Sequence, residues 1–272
     1  MPGFAANLHY LFTEVPFIQR FDAAARAGFR AVEFQVPYDY PAADLRERLR
    51  ANDLAMVLFD APTGNWQQGD RGLTAVPGRE QEFRASLPRV VKYAEALDCH
   101  TVHVMAGVVA REEYDEAHRV YVDNLRYATR FLGDHGITTV IEPINNRLGD
   151  VSGGPDYTTR GMHGYFLNHT RQARRIIEEV DVPGLFLHLD CYHMQMLEGN
   201  LSETIRENMA MTRHFQIAGV PGRHEPDVGE INYPFLFDLM DQLGYKGWVG
   251  LEYRPKTTTI EGLKWAAAYG IG

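Results

Sequence analysis

Four short apolar runs in this chain each carry an oxygen-bearing side chain at or near their end. They are Thr138-Thr139-Val140-Ile141-Glu142, Leu185-Phe186-Leu187-His188-Leu189-Asp190, His214-Phe215-Gln216-Ile217 and Trp248-Val249-Gly250-Leu251-Glu252. Runs this short, rich in apolar and β-branched residues, read as buried strands. After Glu142 stands Pro143, which has no amide hydrogen with which to extend a ladder. A charge delivered to the end of a buried strand is costly unless something pairs with it. If the four runs lie side by side and parallel, their ends converge on one cluster of oxygens. The alternative is four unrelated polar strand ends making surface hydrogen bonds.

The remainder of the chain supplies the parallel neighbours. A strand at residues 4–8 precedes a helix opened by Thr13 with Glu14 in its first turn, striped by Phe17, Phe21, Ala24 and Ala25 and closed by Gly28. A strand at 31–34, a helix at 42–49 and a strand at 54–59 follow through short connections, as in βα units. Phe83, Leu87, Val90, Val91, Ala94 and Leu97 space out a strong helix before a strand at 101–105, and Leu125, Ala128, Phe131 and Leu132 mark the next helix. Thr170 and Ser202 are expected caps for the two helices flanking the strand that ends at Asp190. Asn232 and Pro234 start another helix, Gly244 stops it, and residues 260–269 form the last one. Eight strand-then-helix units with right-handed crossovers close into an α/β structure, a (β/α)8 TIM barrel spanning residues 1–272 as a single domain. An open doubly wound sheet is disfavoured because no G-x-G-x-x-G follows the first strand.

Two connections are long. Residues 60–78, with Trp66, suit a lid or binding loop, or a disordered segment. Residues 146–167 carry Gly149, Gly153, Gly154, Pro155, Gly161 and Gly164 and are expected to lie irregularly over the strand ends, bringing Tyr157, Arg160, His163 and Tyr165 near the pocket.

Composition excludes several classes. At 272 residues and 45% hydrophobic, the chain can bury one large core. It has no run of about 18 apolar residues that would cross a membrane. Cys99 and Cys191 lack C-x-x-C spacing, which suits buried thiols in a reducing cytoplasm. A net charge of -9 disfavours nucleic acid as a partner.

In a barrel of this type the chemistry sits at the carboxyl ends of the strands, where Glu33, His103, Glu142, Asp190, Gln216 and Glu252 fall. Three carboxylates and one amide oxygen (Glu142, Asp190, Gln216 and Glu252) form a hard donor set suited to Mg²⁺ or Mn²⁺. Such an ion polarises a substrate carbonyl and its neighbouring hydroxyl. Glu142 and Glu252 are the candidate proton-transfer pair. His193, three residues after Asp190, is a candidate hydrogen-bond donor to substrate, and His103 joins it. Arg223, beside His224, offers the planar fork that suits a carboxylate, whereas Arg254 and Lys256 read as surface charges.

These residues also carry a resemblance. Ile141-Glu142-Pro143-Ile144-Asn145, Asp190-Cys191-Tyr192-His193-Met194-Gln195, Gln216-Ile217-Ala218, Gly229-Glu230-Ile231-Asn232-Tyr233 and Trp248-Val249-Gly250-Leu251-Glu252-Tyr253, with Pro77-Gly78-Arg79-Glu80 and Phe4-Ala5-Ala6-Asn7-Leu8, resemble the hydroxypyruvate isomerase family, a branch of the xylose-isomerase-like barrels. The resemblance runs nearly end to end. It implies a divalent metal on Glu142, Asp190, Gln216 and Glu252, proton transfer by Glu142 and Glu252, and substrate contacts from His193 and Arg223. It implies conversion of hydroxypyruvate to tartronate semialdehyde through an enediol, without an organic cofactor, and frequent homo-oligomers. The related 2-oxo-tetronate isomerases act alike on a four-carbon acid, and ketose 3-epimerases typically place His where Gln216 stands. A dehydratase would use the same metal to eliminate water, an endonuclease would need more His ligands and a basic face, and a silent sugar-acid binder would bind without turnover.

Overall fold

A computed structural model describes residues 3–147 and 161–272. Eight strands, β1 (Gly3–Asn7), β2 (Ala31–Glu33), β3 (Ala55–Asp60), β4 (Thr101–His103), β5 (Thr138–Ile141), β6 (Leu185–Asp190), β7 (Thr212–Ile217) and β8 (Trp248–Leu251), pair in sequence order. Each pair is parallel, and β1 pairs with β8, so the sheet closes into the expected barrel. Strands covered on both faces can be apolar throughout, which explains why their alternation is weak in the sequence. The helices around them are α1 (Phe17–Arg26), α2 (Ala42–Ala51), α3 (Glu80–Leu97), α4 (Tyr114–Gly133), α5 (Thr170–Val180), α6 (Cys191–Leu197), α7 (Leu201–Asn208), α8 (Tyr233–Gln242) and α9 (Thr259–Gly262). No described helix is long and apolar enough to cross a membrane. Cys99 and Cys191 are buried free thiols.

Three expected helix starts move, and at one of them, α5, a distant carboxylate stands in for a local cap. Thr13 does not open α1, which begins at Phe17 behind Pro16. Glu14 instead reaches the far end of the chain and accepts from Thr259 N at 2.5 Å and Thr259 Oγ1 at 3.0 Å, holding the start of α9. Thr170 is the first residue of α5 rather than its cap, because Glu198 accepts both Thr170 N at 2.7 Å and Thr170 Oγ1 at 2.8 Å. Ser202 lies inside α7, whose cap position is Asn200 in a left-handed conformation. Asn232 does cap α8, its side chain accepting from Phe235 N. The last helix is broken into α9 and a 3-10 segment, Lys264–Tyr269.

Of the two long connections, residues 60–78 are ordered around a 3-10 turn at Trp66–Gln68, and Trp66 is buried beneath Arg71, whose guanidinium carbon sits 3.9 Å from the ring centroid. Within 146–167, residues 148–160, including Tyr157 and Arg160, lie outside the described residues. The described part returns to the barrel: Met162 N donates to Asn145 O at 2.8 Å and Tyr165 bridges to Val108.

The distant cap is testable. Glu198→Ala leaves two donors of α5 without their acceptor, which costs about 1 kcal/mol for a lost cap and lowers the melting temperature by about 2–4 °C. Thermal unfolding by circular dichroism measures it, and an unchanged midpoint contradicts the assignment.

Candidate active site

Pro143 ends β5 and leaves Glu142 at the strand mouth, buried, with Oε1 making no hydrogen bond among the described residues. Its other oxygen lies 3.9 Å from His103 Nδ1 and 3.8 Å from His188 Nδ1. Asp190 ends β6 and caps α6, a helix not anticipated from the sequence. Oδ1 accepts Tyr192 N at 2.8 Å, and Oδ2 faces Arg223 Nη2 at 3.2 Å. The helical turn begun by Asp190 brings His193 back to the same cavity, with Nε2 3.6 Å from Asp190 Oδ2 and 3.9 Å from Glu142 Oε1. Glu252 follows β8 and accepts from Gln35 Nε2 at 2.5 Å, from Asn7 Nδ2 at 3.4 Å and from Arg223. Gln216, level with Asp190 in the β6–β7 register, donates Nε2 to Glu33 Oε1 at 2.6 Å. Its Oε1 is buried beside the His188 ring.

The charge balance of this cavity is uneven. Its described lining carries Glu33, Asp60, Glu142 and Glu252 against the single guanidinium of Arg223, with Asp190 directly behind. Burial pushes the Glu142 carboxyl well above the ordinary range, and the charges of Glu252 and Asp190 push it further. Burial likewise raises Glu252 and Asp190 despite the opposing pull of Arg223. Arg223 is itself fully buried, and burial disfavours its charge. Tyr10, Glu252 and Asp190 outweigh that, so its pKa stands above the usual arginine range. Carboxylates in this state take up protons or a cation.

The two expected substrate-contacting histidines have different partners. Asn145 Nδ2 donates to His193 Nδ1 at 2.9 Å, which leaves the ring proton on Nε2, facing Glu142 and Asp190. Burial, then the Arg223 charge, holds His193 well below its ordinary pKa, so the ring is a neutral donor. His103 Nδ1 lies 3.1 Å from Asp60 Oδ1, while its Nε2 makes no hydrogen bond among the described residues. His224 does not join the site, because its Nδ1 donates to the Arg254 carbonyl at 2.9 Å. Lys256 is exposed, as expected.

Sequence reasoning passed over several members of the site. His188 lies two residues before Asp190 and His214 two before Gln216. Period-two spacing puts each pair on one side of its strand, and that signal was readable. Tyr10, Gln35, Trp66 and Met162 also line the cavity. They come from connections between elements, where no periodicity marks them. The cavity is partly open to the surface, and its free volume is small, about 40 Å³. Of the residues expected to ligate a divalent cation, Glu142 and Asp190 bring carboxylate oxygens within 4.8 Å of one another and of a His193 ring nitrogen, and Glu142 lies equally near His103 and His188, whereas Glu252 is paired with the Arg223 guanidinium that also reaches Asp190.

Comparison with known proteins agrees with this architecture. A 2-oxo-tetronate isomerase of Cupriavidus necator is 46% identical over 270 residues, covering 99% of each chain. The hydroxypyruvate isomerase of Escherichia coli is 40% identical over 270 residues, covering 99% of this chain and all of that one. A crystal structure described as an AP endonuclease, family 2, from Brucella melitensis superposes with a TM-score of 0.93 at 43% identity, covering 99% of both chains. Residues 21–269 match the family model described as the xylose isomerase-like TIM barrel, and the chain belongs to that family.

Proposed function

We propose that this chain is an isomerase of small 2-oxo-3-hydroxy acids, interconverting hydroxypyruvate and tartronate semialdehyde through an enediol. The observation that carries the reading is the pair Glu142 and Glu252, two buried carboxylates of raised pKa at one small cavity that also holds a neutral histidine donor and a guanidinium. The relatives named hydroxypyruvate isomerase and 2-oxo-tetronate isomerase support it. Both acids undergo the same change, a carbonyl exchanged between C2 and C3, and the identity to the Cupriavidus protein favours a four-carbon acid as the second reading.

The chemistry needs a base that takes a proton from C3, a donor at the C2 oxygen, and return of a proton to C2 as the C3 hydroxyl becomes a carbonyl. Burial makes Glu142 and Glu252 stronger bases than surface carboxylates, which suits the carbon-bound proton. His193 Nε2–H donates to a substrate oxygen as negative charge grows on it. Arg223 matches the substrate carboxylate with its planar fork. Tyr10 and Tyr192, with ring centroids 4.9 and 5.1 Å from its guanidinium carbon, hold it in place. Glu142, Asp190, Gln216 and Glu252 would hold Mg²⁺ or Mn²⁺, which when bound supplies polarisation of the substrate carbonyl and hydroxyl. The two thiols suit work in the cytoplasm.

Turnover is followed by proton NMR of hydroxypyruvate and of 2-oxo-tetronate in D₂O with Mg²⁺. Glu142→Gln and Glu252→Gln are each expected to reduce kcat by at least about 10²-fold, the lower end of what a positioned acid or base contributes, while leaving the fold intact. Chelation abolishes turnover. If the wild-type protein converts neither acid, the reading is wrong.

A second outcome follows from the carboxyl pKa shifts. In the metal-free chain Glu142, Asp190 and Glu252 bind protons more tightly when folded than when unfolded. Their contribution to stability is therefore complete below the unfolded carboxylate range, about pH 4, and is lost as pH rises through their raised folded values. A divalent cation replaces those protons. The melting-temperature gain on adding Mn²⁺ to chelator-treated protein should thus grow from pH 5 to pH 8, and a gain independent of pH contradicts the ligand set.

A further inference from the structure

Glu33 belongs to β2, yet the amide it holds belongs to β7. In the closed order of strands, β1 and β8 lie between them on the short way round. The reach is open because β8 has no side chain at that level: Gly250, the registered partner of Gln216, would drive a Cβ into the Glu33 carboxylate. Inside that gap Glu33 is almost wholly buried and takes three donors. Oε1 accepts Asn7 Nδ2 at 2.9 Å and Gln216 Nε2 at 2.6 Å, and Oε2 lies 2.6 Å from His214 Nε2.

An amide has two chemically different ends, and a carboxylate can only accept. Glu33 therefore claims the NH₂ end of Gln216, and the oxygen end faces away from it, buried beside the His188 ring at the cavity that Glu142 and Glu252 also line. A flipped amide would set its oxygen against the Glu33 carboxylate and turn an NH₂ group, which cannot ligate a cation, toward the cluster. Asn7 ties the device to the rest of the site, since its Nδ2 also lies 3.4 Å from Glu252 Oε1.

We propose that Glu33 is a positioning residue that locks the Gln216 amide with its oxygen toward the carboxylate cluster, and so determines whether position 216 can serve as a cation ligand. The proposal rests on the reading of Gln216 as a ligand given above. It goes further by making that ligand conditional on Glu33, three strands away around the barrel, which is not itself among the expected ligands. The Gly250 gap and the buried Asn7 and His214 donors then serve one end, a carboxylate held where only an NH₂ can answer it.

The test has a metal-free and a metal-bound arm. In chelator-treated wild-type protein, the Gln216 side-chain NH₂ should give two resolved proton–nitrogen correlations in slow exchange with water, and Glu33→Gln should lose that protection. Mn²⁺ binding, read from the electron paramagnetic resonance of free ion, should weaken about ten- to hundredfold in Glu33→Gln, the range for loss of a group that orients a ligand. The double variant Glu33→Gln, Gln216→Glu should recover Mn²⁺ affinity, because a carboxylate at 216 accepts from the new amide and still offers an oxygen to the cluster. A role confined to packing predicts no such rescue. If Glu33→Gln fails to fold, Glu33→Asp, which keeps the charge but withdraws it by one methylene, should show the same two losses. Unchanged Mn²⁺ affinity in Glu33→Gln, persistent NH₂ protection, or a double variant as weak as the single one overturns the lock. A wild-type protein that binds no Mn²⁺ overturns the reading of Gln216 as a ligand, and the metal-free protection arm then decides the lock alone.

Discussion

Negative charge held out of water at the mouth of a closed barrel is the constraint to which the other features of this site answer. Glu33, Asp60, Glu142 and Glu252 line one small cavity, Asp190 stands behind, and Arg223 is the guanidinium among them. Each carboxylate deals with its burial differently. Glu33 takes three donors, Asp190 takes a backbone amide and Arg223, and Glu252 takes Gln35, Asn7 and Arg223. Among the described residues Glu142 takes least: one oxygen has only distant histidines and the other has no hydrogen bond. The least satisfied carboxylate in a folded protein is the one most ready to exchange a proton or bind a cation, and here it is the one delivered by the strand that Pro143 cuts short.

The barrel supplies what such a cluster needs. Parallel strands put their carboxyl ends at one rim, so residues far apart in sequence meet without any helix or loop having to carry them there. Gln216 pairs in register with both Asp190 and Gly250, and Asn7 with Glu33, so the ring of polar groups is set by backbone hydrogen bonds rather than by flexible side chains. Asp190 goes further. By accepting Tyr192 N it starts α6, and that helical turn swings His193 over the cavity. One side chain thus shapes the backbone and presents a charge at the site.

This division explains what was legible in the sequence. Strand ends were readable because apolar runs, Pro143 and the trailing polar residue are local signals, so Glu142, Asp190, Gln216 and Glu252 could be picked out and their convergence inferred. Helix starts were less so, because a capping group need not be local: Glu198 holds the start of α5, and nothing near Thr170 announces it. Glu33 could be placed at a strand end but not given a job, since its partner on β7 depends on closure of the sheet and on a missing side chain at Gly250. Tyr10, Gln35 and Trp66 are positioned by turns whose geometry no period encodes.

Two histidines show how the same side chain is given two uses by its neighbours. His193 is held by an amide, Asn145, which fixes a neutral ring with its proton on Nε2 beside Glu142. His103 is held by a carboxylate, Asp60, nearer the other Glu142 oxygen, and its Nε2 makes no hydrogen bond among the described residues. An amide NH₂ can only donate and a carboxylate can only accept, so the two partners call for opposite ring nitrogens to carry the proton. Asn145 leaves His193 with Nε2–H toward Glu142 and Asp190, whereas Asp60 draws the proton of His103 onto Nδ1. The same side chain, on either side of one carboxylate, is thus oriented by a neighbour that the barrel's strand order supplies.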